Sequence, residues 1–365
     1  MANIQVLYLG QDLYKLGYVT DIPIIFERKT FKRDKIGDNN FTLKCKNFDN
    51  LFSIGHPASM LTGIDWMYQS LKIINEDGIL IWNSIVSDII QNQRDKTVSI
   101  KTNDIIFKKR NDIIEYESST WETAGDAAKN IMINSGFTNY NEKSIQDSIN
   151  LLTENNCYLK CNFNKSSNIS LVKALEDLGI KSCSDAYSHY GNIHFKHYHP
   201  YAGGVSLRLN VDRSTRLKTK PIISYLESQI INQYSIDYEG SNGVSMTDTD
   251  NLGLISRNKY TTHALPTFNT GEKKQIIFKD SVSAKYIGES YINMTHHDIS
   301  TQPQPIIKIQ FDVDIKFKNY IDLENYFKLT LEDNAWDEKV FEIYEFKRNE
   351  KNRNINIVAY EVNTV

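Results

Sequence analysis

Proline is scarce, with 7 in 365 residues, and cysteine is scarcer, with 4. So little proline excludes a polyproline stalk or Pro-rich linker. The cysteines, Cys45, Cys157, Cys161 and Cys183, include one near pair in C-x-x-x-C spacing, which is neither a redox C-x-x-C nor a zinc knuckle. Reduced thiols and no disulfide are therefore expected. No apolar run approaches the length of a membrane span. The opening MANIQVLYLGQDLYKLGYVT lacks the basic-then-apolar form of a secretory signal, so synthesis in a cytoplasm without signal-directed export is expected. Net charge is −3, with no basic excess of the kind a tightly held nucleic acid requires. G-x-S-x-G, H-E-x-x-H and P-loop motifs are all missing.

Aromatic and β-branched residues are plentiful, with 21 Tyr and 16 Phe, and they suit strands. The length allows two or three domains. Residues 1–110 read mostly as β: DIPIIFERKTFK and NNFTLKCKNF alternate apolar and polar positions, and Gln91–Lys96 is a hairpin connection. Residues 48–78 are less regular, with some helical spacing around Met60–Ile74, and read as an insertion. Residues 111–215 read as α+β. One helix starts at Thr120 or Thr123, carries Ala127, Ala128, Ile131 and Met132 on its apolar stripe, and stops at Gly136. A second is capped by Ser167, Asn168 or Ser170, turns Leu171, Leu175 and Leu178 inward, and ends at Gly179. A hairpin turning at Gly191–Asn192 follows. Residues 216–365 return to β, with a strand in SQIINQYSIDYEG, an excursion over about 240–300 and a helix capped near Asp280. In that helix Val282, Tyr286 and Ile287 are expected on one face with Ser290, Tyr291 and Met294, and His296-His297-Asp298 at its end. The fold expected is α+β, mainly β: two small antiparallel β-barrels, 1–110 and 216–365, flanking an α+β domain.

Four of the eight histidines, His189, His194, His197 and His199, fall in SHYGNIHFKHYHP. On a strand, His197 and His199 share a face with Ile193 and Phe195, while His194 lies opposite with Lys196 and Tyr198. An H-x-H pair can open a zinc site only with a further ligand, for which Asp185 or Cys183 are the candidates. The alternative is a polar, aromatic strand at a surface or subunit contact, which is the reading adopted: no metal, no cofactor, no catalytic residue. His296 and His297, adjacent on a helix, diverge by about 100° and cannot chelate one ion. YAGGVS (Tyr201–Ser206) reads as a tight turn rather than a phosphate loop, since no strand and helix flank it.

Four stretches resemble the phage tail hub family, which includes baseplate hubs of contractile tails and N-terminal hub regions of siphophage tail-tip proteins. They are DGILIWNSIVSDIIQNQRDKTVSIKTND, YESSTWETAGDAAKNIMINSGF, ISLVKALEDLGIKSCSDAYSHYGNIHFKHYHP and YFKLTLEDNAWDEKVFEIYEFKRNEKNRNINIVAYEV. Residues 48–78 and 240–274 depart from the family pattern. The resemblance implies a homotrimer whose six barrels make a pseudo-sixfold ring, adapting a hexameric tail tube to a trimeric tip or spike. The implied partners are a tail tube or distal tail protein, a tip, spike or fibre protein and a tape measure protein. DNA would be met only in transit through a lumen, and the place implied is the virion tail, assembled in the host cytoplasm. Two alternatives stand beside it. One is a metal-dependent tip hydrolase using His197 and His199. The other is a carbohydrate-binding host-attachment module, which would need exposed Trp in a shallow groove.

Overall fold

The structure is a computed structural model. It describes residues 4–19, 25–29, 39–164, 168–200, 203–205, 207–210, 217–226, 234–236, 238–239, 244–246, 275–297, 304–323, 325–331, 334, 336–349 and 352–363.

The alternating segments become strands. In chain order the first are β1 (Gln5–Tyr8), β2 (Gln11–Asp12), β3 (Ile25–Arg28), β4 (Asn40–Lys46), β5 (Ser70–Ile74), β6 (Leu80–Asn92) and β7 (Thr97–Asn103). All but β3 build an antiparallel sheet in the order β2-β1-β5-β6-β7-β4. The period of two puts Phe41, Leu43 and Cys45 of β4 in the core and Thr42 and Lys44 in solvent. The expected insertion needs correcting: Ser70–Ile74 is an integral strand between β1 and β6, with Leu71 and Ile73 fully buried. No helix forms over residues 60–69, where the chain makes turns through Gly63 at φ +76°. The short S-L-K-I-I alternation outweighs the looser helical spacing before it.

Next come β8 (Tyr116–Glu117), α1 (Ala124–Asn134), α2 (Glu142–Glu154), β9 (Leu159–Phe163), α3 (Leu171–Lys181), β10 (Ser184–His189) and β11 (Asn192–His197). Thr123 caps α1 in a reciprocal box with Asp126, and Gly136 follows its end at φ +68°. All four stripe residues of α1 are buried. Ser170 caps α3, and Leu171, Leu175 and Leu178 are fully buried, each stabilising by about 1.5–3 kcal/mol relative to exposure. Gly179 does not end α3, which runs on to Lys181. A Cβ there would lie 2.8 Å from the Ser184 carbonyl oxygen, so glycine permits helix and strand to meet. Helix α2, capped by Asn141, was not anticipated; its apolar face is thin, with Ser144 and Ser148 buried beside Ile145 and Leu152.

The remaining elements are β12 (Leu207–Asn210), β13 (Ile222–Tyr225), β14 (Tyr234–Ile236), β15 (Val244–Met246), β16 (Ile276–Phe278), α4 (Ser281–Thr295), β17 (His296–His297), β18 (Gln304–Pro305), β19 (Ile307–Asp314), β20 (Tyr326–Leu331), β21 (Trp336–Asn349) and β22 (Asn354–Glu361). The second large sheet runs β12-β20-β21-β22-β19-β13, with β12 parallel to β20 rather than antiparallel. Asp280 caps α4 as expected, accepting from the Ser283 N–H at 2.9 Å. Val282, however, is exposed, and the buried face is Ser283, Ala284, Ile287, Ser290, Tyr291, Ile292 and Met294. His296 and His297 leave the helix as a two-residue strand on β18, and Asp298 lies outside the described residues. So do most of SQIINQYSIDYEG and of 240–274, apart from the short β14–β15 pair.

The two large sheets are separate and share one plan. Strands β4, β5, β6 and β7 lie as β5-β6-β7-β4, and β19, β20, β21 and β22 lie as β20-β21-β22-β19. In each, the long third strand carries a register shift that lets it bend, at Val86/Asp88 and at Ile343/Glu345. Neither sheet closes into a barrel among the described residues. In the first, the segment after β2 reaches back to edge strand β4 at the Val19–Cys45 bridge.

Three pairings cross the expected segment boundaries. Strand β12 leaves the middle segment and pairs with β20. Strand β3 leaves the first segment and pairs with the second half of β21. Strand β16 pairs with β9, and Ile276, Phe278, Ala284, Ile287 and Tyr291 share the core of α1 and α3. The other core is continuous across both large sheets and includes Tyr187 of β10. The architecture is mainly β with a small set of helices.

Candidate functional site

The histidine-rich hairpin β10–β11 turns at Tyr190–Gly191, both at positive φ, one residue earlier than expected. It is buried on both faces. Its register puts Ser184, Ala186, Ser188, Ile193, Phe195 and His197 on one face and Asp185, Tyr187, His189, His194 and Lys196 on the other. The first face packs on the helices: Ser144 and Ser148 of α2 bond the backbone of Phe195 and His197. The second faces the large sheets and meets β3. Ile25 and Glu27 share one face of β3, Lys29 follows directly after it, and all three are buried.

Two ionic clusters hold this junction. His189 Nδ1 bonds the Glu27 carboxylate, and His189 Nε2 lies 2.5 Å from Asp322 Oδ1. Burial alone would lower the His189 pKa, but Glu27 and Asp322 overcome it and hold it up at about 10. The ring is therefore an imidazolium at neutral pH. Tyr190 adds a bond from its hydroxyl to Asp322. In the second cluster Glu342 of β21 receives Lys29 Nζ at 2.6 Å and Lys196 Nζ at 3.1 Å on the same oxygen. Lys196 also bonds the Tyr326 hydroxyl at 2.9 Å. Burial would raise the Glu342 carboxyl, but Lys196 and Lys29 keep it ionised down to about 2. Burial lowers the Lys29 ammonium and outweighs the opposing pull of Glu342, and the neighbouring Lys196 charge lowers it further. The Tyr344 ring, 4.6 Å from Lys29 Nζ, supplies a cation–π contact.

The candidate metal pair does not converge. His197 is buried, its Nδ1 donating to the Ser182 carbonyl at 2.8 Å. His199 lies beyond the end of β11 and is exposed. Asp185 pairs in register with Lys196 and points to the face opposite His197, and Cys183 is buried in the helical core. Among the described residues no group of three His, Cys, Asp or Glu side chains is placed to hold a metal ion. A cleft of about 360 Å³ beside the hairpin is lined by Asp147, Ser148, Leu151, Lys196, His197, His199 and Tyr326, among others. Its surface is mostly apolar, and the Ser148 hydroxyl within it is bonded to the backbone of Phe195 and His197. Of YAGGVS only Gly203, Gly204 and Val205 are described.

Sequence reading missed the charged partners because each comes from a distant segment: Glu27 and Lys29 from the first, Asp322, Tyr326 and Glu342 from the last. One local signal existed. Ile25, Glu27 and Lys29 alternate with period two, so one face of a strand carries an apolar residue and two opposite charges. All four cysteines are buried free thiols, and burial pushes Cys45 up to about 12. No described helix is long and apolar enough to cross a membrane.

No family model matches the sequence, and no curated protein matches it. Solved structures do. The 43 kDa tail protein of prophage MuSo2 from Shewanella oneidensis superimposes with a TM-score of 0.58 at 13% identity, covering 98% of each chain. A tail protein from Neisseria meningitidis MC58 gives 0.56 at 9% identity, covering 99% of this chain and 96% of its own. The prophage tail protein gp18 from Listeria monocytogenes EGD-e gives 0.51 at 10% identity, covering 97% and 94%. Over nearly its whole length, this chain has the fold of phage tail proteins.

Proposed function

We propose that the chain is a structural hub of a phage tail or tail-like particle, acting by shape and contact rather than by catalysis. One observation carries the reading: a single chain holds two separate sheets with the same four-strand order. A chain with two like units can present six similar surfaces from three copies in a closed ring. Such a homotrimer would match a hexameric tail tube on one side and a trimeric tip, spike or fibre protein on the other. In this reading each sheet, with its edges covered in the assembly, forms a small barrel-like unit. The helices, the hairpin and β16–α4 form the piece between them. The tape measure protein and passing DNA would meet the lumen only in transit. The fold shared with tail proteins supports the setting, a virion tail.

The hydrolase alternative is not favoured, since His197 Nδ1 is engaged by the Ser182 carbonyl and, among the described residues, no third ligand joins His197 and His199. Nor is the carbohydrate-binding alternative: Trp82 and Trp336 are buried, and Trp66 and Trp121 are half-buried. Sedimentation and class-averaged electron micrographs of the purified protein test the proposal. Threefold rings with six comparable lobes are expected. A strictly monomeric protein at about 100 µM, in low and moderate salt, would overturn it.

A further inference from the structure

The shared strand plan gives the two sheets corresponding ends. In the first sheet one end, the tip, is where β4 stops and β6 turns into β7, and there Asn47 N–H bonds the Lys96 carbonyl. In the second sheet the tip is where β19 stops and β21 turns into β22, and there Lys218 Nζ bonds the Asn352 carbonyl. The opposite end, the foot, is the β5–β6 turn in the first sheet and the β20–β21 turn in the second.

The tips match in detail. After β4 comes Phe48, whose ring centroid lies 5.5 Å from Lys46 Nζ. After β19 comes a short 3-10 helix, Ile315–Tyr320, in which the Phe317 ring centroid lies 5.3 Å from Lys316 Nζ. They differ in what covers them. Phe317 is half-buried and packs against the core. Phe48 is 59% exposed, and Leu16 and Ile54, in loops bonded to the same tip, are 52% and 58% exposed.

Within the chain, the second tip already meets the first foot. Lys318 Nζ, in the same 3-10 helix, lies 2.9 Å from Glu76 Oε1 and 3.5 Å from Asp77 Oδ2, both in the β5–β6 turn. The Lys318 side chain is left only 11% exposed. One tip-to-foot contact joins two units and leaves one tip and one foot over. Those are the first tip, with Phe48, and the second foot, whose Asn334 is exposed. The two feet are alike in sequence: Asn75-Glu76-Asp77-Gly78 and Leu331-Glu332-Asp333-Asn334 each put Glu-Asp in the turn. The cations nearest the second foot, Arg208 and Lys328, are both held by Glu338.

We propose that the first tip docks on the second foot of another copy of this chain, repeating between chains the contact that Lys318 makes within one. This rests on the ring reading above and names the joint that closes the ring: three chains would alternate internal and external joints of one kind, a heterologous contact closed by rotation. The apolar residues around Phe48 supply the contact area. An exposed ion pair adds at most about 1 kcal/mol, so charge gives the joint its register rather than its strength.

Site-directed cross-linking tests the joint. All four native cysteines are buried, so introduced surface cysteines stand out. One variant carries Asp49→Cys beside Phe48, one carries Asn334→Cys, and one carries both; a short bismaleimide is the reagent. Circular dichroism and thermal melting establish that each is folded. The double variant should give linked chains on a denaturing gel, ending at trimers, and neither single variant should. Phe48→Ala should weaken association at least tenfold by sedimentation velocity. A trimeric wild type whose double variant does not link, or links no better than the single variants, would overturn this contact and leave the ring standing. Trimers unaffected by Phe48→Ala would do the same. A monomeric wild type would overturn ring and contact together.

Discussion

Replacing His189 by alanine should be among the most destabilising single changes in the protein. His189 is 3% exposed and bridges Glu27, 1% exposed, to Asp322. Alanine removes the only cation bonded to Glu27 among the described residues and leaves that carboxylate buried beside a cavity. Breaking a buried pair from one side costs about 3–5 kcal/mol, most of it the desolvation of the orphaned charge. The assay is urea unfolding of wild type, His189→Ala, Glu27→Ala and the double variant. Because each single variant strands a partner, the double should cost less than the sum, with a coupling of about 1–3 kcal/mol. The pH dependence checks the same pair. His189 titrates near 6.5 unfolded and about 10 folded, so its stabilisation is complete below pH 6.5 and falls away up to pH 10. The wild type should lose stability over that window, and His189→Ala should lose much less. A His189→Ala cost under about 1 kcal/mol, or strictly additive variants, would refute the claim that this ion pair holds the junction.

At the acid end Glu342 acts in the opposite direction: its pKa falls from 4.5 to about 2, so its contribution is complete above pH 4.5 and is lost as pH drops to 2. Glu342→Gln should flatten the acid limb of a stability–pH curve, and an unchanged limb would count against the shared Lys29–Glu342–Lys196 cluster. Gly179→Ala should destabilise by about 1–3 kcal/mol in urea unfolding, because the new Cβ would press on the Ser184 carbonyl. Thr123→Ala should cost about 1 kcal/mol by removing the α1 cap, and a neutral result would deny the capping box a role. Native protein should resist iodoacetamide at pH 8, and all four thiols should label after denaturation by intact mass; fewer labels would indicate a protected or oxidised cysteine.

Much of the secondary structure was local enough to read. The alternation of Phe41, Leu43 and Cys45 is a property of seven consecutive residues, as are the Thr123 cap and the Leu171–Leu175–Leu178 stripe. Each was legible because neighbours along the chain supply both the pattern and its cause. Helix α2 escaped because serines at two of its buried positions hide the apolar stripe; they are there to bond β11, which no local pattern states. The repeated strand plan was anticipated only as an expectation of two similar β units. The pairing that makes the order identical joins residues far apart in sequence.

The site divides the same way. Strand alternation assigned the two faces of the hairpin and set His194 and Lys196 opposite His197, and the structure keeps that assignment. What lay behind each face was decided in three dimensions. His199 falls past the end of β11 and no third ligand joins it and His197 among the described residues, while His189 becomes the charged centre of the junction. Its partners come from positions 27 and 322, brought together when β3 leaves its own unit to pair with β21. A buried charge is tolerated only where opposite charges converge on it. That convergence belongs to the tertiary fold: the sequence supplies the charged residues, and only the packing of distant strands makes them a cluster.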